Sequence, residues 1–216
     1  HIAHGGGRFR GIRCSASWDE SDLIRNGQNS PSQHIYRESG FREGLGELAP
    51  LGLSFEAWMY HHTLPDFIDL APRFPETTFI LNHFAGPLGI GPYAGKRESI
   101  FAEWKDHMSA LAESPNVHIK LGGLQMDICG FGWHERDTPP GSEELADATR
   151  PYHRHCIDTF GADRCMFESN FPVDNLSCSY HVLWNSFKRI AADDTEDDRR
   201  KLFHDTAARV YRLDAF

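Results

Sequence analysis

The sequence is short of basic residues: 22 Lys and Arg stand against 31 Asp and Glu, a formal charge of −9. Phosphate contacts need clustered basic surface, so nucleic acid is excluded as a partner. No stretch reaches the roughly 18 consecutive apolar residues of a membrane span, and no charged-then-apolar leader opens the chain, so no membrane partner is expected. Cys-x-x-Cys is missing as well. Cys14, Cys129, Cys156, Cys165 and Cys178 are odd in number and widely spread, which argues against a disulfide framework or a structural zinc site and for reduced thiols in a cytoplasm. Neither GxGxxG nor GxxxxGK[ST] follows any strand-like run, and Gly5-Gly6-Gly7 precedes a strand rather than a helix, so no dinucleotide or phosphate loop is expected. Repeats and linkers are absent too, so residues 1–216 read as one domain. The chain opens on His1 where a complete gene product opens with Met, which predicts an N-terminal loss.

What is present suits a folded enzyme-sized core: 40% of residues are apolar, with 15 Phe and 5 Trp. Five runs combine β-branched or aromatic residues with nearby turn signals and read as strands. They are Arg8 to Cys14, Leu53 to Tyr60, Thr78 to Phe84, Val117 to Gly122 and Arg164 to Asn170. Helical apolar spacing fills Arg97 to Ala112 and Glu144 to Phe160, the latter carrying Pro151 as a kink or break and Gly161 as its C-cap. A last helix starts at Thr195, which caps with Asp198 three residues on, and weaker helical signals cover Arg42 to Leu51 and Leu64 to Ala71. Strand and helix alternate, so the expected class is α/β with a parallel sheet, either a barrel or a doubly wound layer.

Alternate residues of a strand share a face. In the second run Leu53, Phe55, Ala57 and Met59 suit packing under helices, whereas Ser54, Glu56, Trp58 and Tyr60 are too polar for it. His83 falls with Phe79 and Leu81; His118, Lys120 and Gly122 oppose Val117 and Ile119; Met166, Glu168 and Asn170 oppose Cys165 and Phe167; Arg13 shares a side with Gly11. Two cations and two carboxylates thus appear where an open parallel sheet would be apolar on both faces. A closed barrel directs one face inward, where the charges compensate and the strand ends border a mouth.

Among the 13 histidines His83 is the strongest candidate, because it ends an apolar strand and precedes the tight turn Ala85-Gly86-Pro87. Glu56 and Lys120 read equally as a buried support pair or as catalytic groups, and Trp58 and Tyr60 as pocket walls. His61 and His62 follow a strand end, where one of them is within reach of the mouth, and a solvated loop is expected for at least one. His153 and His155 lie on different helix faces, and His107, His134, His181 and His204 have no partner at ligand spacing. The segment from Gln125 to Gly141 is expected to shape the pocket.

The strings ILNHFAGP, HIKLGGL, FGADRCMFESNFPVD and TAARVYRL, with the opening RFRGIR followed by Trp18-Asp19, resemble the amidohydrolase family that includes dicarboxylate lactonases and sugar-lactone hydrolases. The resemblance spans nearly the whole chain. It implies a distorted (β/α)8 TIM barrel that hydrolyses a lactone, ester or amide of a small, carboxylate-bearing substrate; some relatives decarboxylate instead. By position His83 matches a histidine that ends a middle strand. Arg13 sits where relatives hold a substrate carboxylate, with Trp58, Tyr60 and Lys120 completing the expected substrate contacts. His83 would polarise a carbonyl or ligate one divalent metal ion such as zinc; the alternative is no metal at all.

Two departures qualify this. The last-strand motif of the family, Ser-Asp-aromatic-Pro, reads Ser169-Asn170-Phe171-Pro172 here. An amide cannot take a proton from water, so Asn170 would only hydrogen-bond water or substrate, and Asp174 is the nearest carboxylate to replace the missing base. The His-x-His pair of a first strand is also missing. With five of eight strands present, roughly 90 to 100 residues of barrel precede His1. A decarboxylase, or an inactive fragment serving as an interaction module, are the competing readings; a homo-oligomer fits any of them.

Overall fold

The computed structural model describes residues 1–27 and 32–213. Five strands, β1 (Gly11–Ala16), β2 (Ser54–Met59), β3 (Phe79–Leu81), β4 (Val117–Leu121) and β5 (Cys165–Phe167), form one sheet in the order β1-β2-β3-β4-β5. Every neighbouring pair is parallel. Helices α1 (Ser39–Gly46), α2 (Leu64–Leu70), α3 (Arg97–Ala112), α4 (Ser142–Phe160) and α5 (Tyr180–Ile190) follow the strands in turn. The C-terminal segment runs through α6 (Glu196–Arg200), a π-helical turn (Lys201–Asp205) and α7 (Thr206–Tyr211). Parallel strands each followed by a helix make this a (β/α) barrel, of which five units are described.

The strand faces divide as their alternation demands. Phe55, Ala57, Met59, Phe79, Leu81, Val117, Ile119, Leu121, Cys165 and Phe167 join one apolar core with Phe67, Trp104, Met108, Leu111, Tyr152 and Phe187 of the helices. On the opposite face Ile80 and Met166 meet Val210 of α7, which brings the C-terminal helix under the inner surface. Register pairs Arg13 with Glu56, Glu56 with Ile80 and Ile80 with His118, while Lys120, two residues further along β4, pairs with Met166.

Several expected boundaries move. β3 stops at Leu81 because the next positions leave extended geometry: His83, Phe84 and Ala85 have φ of 53°, 54° and 54°. Left-handed backbone is costly for residues with a Cβ, and three in a row persist only where surroundings hold them. Here Trp104 Nε1 donates to the Phe84 carbonyl (2.7 Å) and Phe84 is fully buried. Pro151 lies inside α4 without ending it, and Gly161 caps that helix with φ of 80°. Thr195 caps α6 as expected, accepting from the Asp198 N–H (3.1 Å). Helix α5 was not expected, although Ser179 caps it and Leu183, Phe187 and Ile190 recur at helical spacing. All five cysteines are free thiols. Among the described residues no helix is long and apolar enough to cross a membrane.

Candidate active site

The inner face carries a chain of alternating charges. Arg13 donates to Glu56 Oε2 through Nε (3.0 Å) and Nη2 (2.5 Å), and its Nη2 also reaches Asn82 Oδ1 (3.0 Å). Lys120 Nζ lies 3.3 and 3.2 Å from the two Glu56 oxygens and 3.6 Å from Glu168 Oε2. Tyr211 of α7 donates to Glu56 Oε1 (2.6 Å). Burial would raise the Glu56 carboxyl, but Lys120, the Tyr211 hydroxyl and Arg13 outweigh it and hold Glu56 at about 2. Arg13 and Lys120, expected as substrate contacts, are therefore brought to Glu56, and their charge is spent within the barrel wall.

Beyond Lys120 the chain reaches His83. Its Nδ1 is 2.6 Å from Glu168 Oε1, without the alignment of a good hydrogen bond, and both side chains are largely buried. Strand alternation would have turned His83 outward with Phe79 and Leu81. The left-handed turn after Asn82 overrides it and swings the imidazole inward, edge-on to Trp58 at 5.0 Å between ring centroids. Room for this contact comes from Gly122 and Gly123 at the end of β4. A Cβ on Gly123 would stand 2.8 to 2.9 Å from His83 Cβ, Cγ and Nδ1, and one on Gly122 would stand 2.1 Å from the Glu168 carbonyl oxygen.

Asn170 and Asp174 meet beside them. Asn170, with φ of 50°, donates from Nδ2 to Asp174 Oδ1 (2.7 Å). Asp174 is fully buried and its Oδ2 has no hydrogen-bond partner. Burial, aided by the Glu168 charge, pushes its carboxyl up to about 7, although Asn170 and the Gly123 N–H pull the other way.

Trp58, which meets His83 edge-on, also walls a mouth cavity of about 390 Å3 lined by Ser15, Ser17, Arg25, Tyr60, Met126, Asp127 and Ile128. The segment from Gln125 thus contributes as expected. The Tyr60 hydroxyl donates to the Arg25 carbonyl, and burial raises its pKa, so it is a neutral clasp on the loop after β1. Arg25 is exposed and has no carboxylate partner among the described residues. His61 and His62 depart from expectation. His61 is buried, accepts from the Leu88 N–H (3.3 Å) and is held at about 3 by burial, while His62 stacks on Tyr93 beside Asp19. His153 is a core residue bonded to the Thr149 carbonyl.

Three residues escaped sequence reasoning as site members: Glu168, Tyr211 and Arg25. Glu168 was on the inner-face list, yet its contact with His83 needs the left-handed turn, which no local signal announces. Tyr211 arrives from the far end of the chain. Arg25 lies in a loop with no periodic pattern.

A metal was the remaining question. Among the described residues no group of three His, Cys, Asp or Glu side chains could hold a metal ion. His83 has one carboxylate beside it, and the Lys120 ammonium next to that carboxylate opposes a second cation. The donor set of the described residues does not fit the metal expected at His83.

The amidohydrolase family profile matches residues 2–213. The chain belongs to the amidohydrolase family. An uncharacterized protein (y4mH) of Sinorhizobium fredii is 38% identical over 205 residues, covering 95% of this chain and 61% of that protein. The L-fucono-1,5-lactonase of Burkholderia ambifaria is 31% identical over 166 residues, covering 75% of this chain and 51% of that enzyme. This amidohydrolase chain therefore spans between half and two thirds of the length of these relatives. In fold it is similar to a Burkholderia multivorans amidohydrolase solved with bound HEPES, at a TM-score of 0.79 and 23% identity, covering 99% of this chain and 68% of that one. A second crystal form of that amidohydrolase contains zinc and gives a TM-score of 0.76 at the same identity, covering 95% of this chain and 65% of that one.

Proposed function

We propose that the protein carrying this amidohydrolase chain hydrolyses a lactone, ester or amide bond in a small, carboxylate-bearing substrate, with a lactone favoured by the likeness to L-fucono-1,5-lactonase. The observation that carries this reading is the convergence of His83, Glu168 and the Asn170–Asp174 pair around Gly122 and Gly123, beneath a mouth walled by Trp58.

His83 is the general base. The Glu168 carboxylate, 2.6 Å from Nδ1, favours the tautomer protonated there and leaves Nε2 to take a proton from water as the water oxygen attacks the carbonyl carbon. When the acyl–oxygen bond of the ring breaks, the imidazolium returns that proton to the leaving alkoxide. Asn170 cannot be a base, but with its NH2 fixed on Asp174 its amide oxygen is free to accept a hydrogen bond from the water. Asp174 thus acts through Asn170 rather than on substrate, as its complete burial requires. At the mouth, Arg25 takes the substrate carboxylate in place of Arg13, because Arg13 is already neutralised by Glu56. The reaction suits a reducing cytoplasm, where the five free thiols stay unpaired.

The test is a panel of sugar-acid and dicarboxylate lactones, and their open acids, offered to the full-length protein, with products identified by NMR. Ring-opened acid without carbon loss supports hydrolysis. Release of CO2 from an open acid would replace this reading with decarboxylation, and no turnover of any member would favour an inactive interaction module.

A further inference from the structure

The barrel has a second polar cavity at its other end. It measures about 220 Å3 and is bordered by the N-terminal ends of β2, β3 and β4 and by α7. Ser54, Glu76, Thr78, His118, Arg209 and Arg212 line it. Chemistry in such barrels sits at the opposite, C-terminal end of the strands, so this cavity is no part of the His83 site.

Its charge is unusual for an acidic chain. Arg10, Arg164, Arg209 and Arg212 cluster at this end, and each donates to backbone carbonyls instead of carboxylates. Arg10 binds the Tyr211 and Arg212 carbonyls (2.9 and 3.0 Å), and Arg212 binds those of Gly52 and Arg10 (2.6 and 3.0 Å). Arg164 binds the Phe160, Ala112 and Ser114 carbonyls (each 3.0 Å), and Arg209 that of Asp163. Elsewhere Arg37, Arg42, Arg73 and Arg154 sit on carboxylates. Carbonyl oxygens satisfy the N–H groups of a guanidinium but leave its full charge uncompensated. Among the described residues none of the four basal arginines has an acidic partner within 4 Å.

His118 adds a polar wall to the cavity. The side chain projects from the inner face of β4 and is 7% exposed. Burial, with Arg209 nearby, holds His118 down at about 4 against the pull of the Phe79 and Asn116 backbone, so at neutral pH the ring is uncharged.

We propose that this basal cavity binds a small oxyanion carrying two charges, a phosphoryl group or a dicarboxylate, between Arg209 and Arg212 with His118 at its floor. The volume admits one such group and not a nucleotide. Glu76 shares the lining and lowers affinity by like-charge repulsion, which sets its substitution opposite in sign to that of the arginine. The site is independent of whatever bond is cleaved at the mouth.

Calorimetric titration of the full-length protein with inorganic phosphate, and separately with succinate, against a chloride background of matched ionic strength tests this directly. Saturable binding near one equivalent is expected, weakened about tenfold by Arg209→Gln and tightened by Glu76→Gln, an exposed substitution that leaves the fold in place. His83→Ala and Arg25→Gln should leave it unchanged. Phosphate alone binding would identify a phosphoryl ligand, succinate alone a dicarboxylate, and both the wider class. Absence of saturable heat, or heat that follows Arg25 and ignores Arg209 and Glu76, would overturn the proposal.

Discussion

At the scale of single residues, two buried carboxylates with opposite shifts make opposite predictions. Glu56 is held at about 2, below its unfolded value, so it stabilises the fold above about pH 4 and that contribution is lost as pH falls toward 2. Glu56→Gln leaves Arg13 without a counter-charge and Lys120 with Glu168 alone, and should cost about 3 kcal/mol at pH 7, with the deficit shrinking in urea titrations below pH 4. A deficit that stays constant down to pH 2 would contradict the network. Asp174 is raised to about 7, so its neutral form is the stable one in the folded chain. Stability from this group is complete below about pH 4 and is lost as pH rises to 7. Asp174→Asn keeps an oxygen for the Asn170 amide and removes the buried charge. The variant should gain on wild type between pH 4 and 8, by up to about 4 kcal/mol, and an unchanging difference across that range would refute the assigned shift.

At the scale of elements, the end of β4 decides whether His83 and Glu168 can meet. Gly123 has φ of 93° and no room for a Cβ against the imidazole. Gly123→Ala should therefore displace His83, leaving circular dichroism near wild type while the His83 imidazole resonance moves in NMR spectra; an unmoved resonance would show that the glycine is not what seats the ring. The strands and their inner faces were legible because a period of two needs only local residue types, and Glu56, Trp58 and Lys120 all lie on the face expected of them. His83 was legible as a residue but not as a direction. Its inward turn rests on three consecutive left-handed positions stabilised by Trp104, 20 residues away. Arg13 shows the same limit from the other side: its type suggested an anion site, yet its partner Glu56 is 43 residues distant, so its commitment is a tertiary fact.

At the scale of the whole molecule, the barrel separates two polar ends. The inner wall carries Arg13, Glu56, Lys120 and Glu168 as a balanced set, which lets a charged interior persist without stray fields. In the proposed mechanism, balance within the wall leaves recognition to residues outside it, with Arg25 at the mouth and the carbonyl-bound arginines at the base. There the proton transfer falls to His83, and Asp174 fixes the Asn170 amide. The most direct test of this division is lactone hydrolysis by the full-length protein with His83→Ala beside wild type. The account predicts a fall of at least about 100-fold in kcat/KM with the fold retained, and activity of the variant equal to wild type would contradict it.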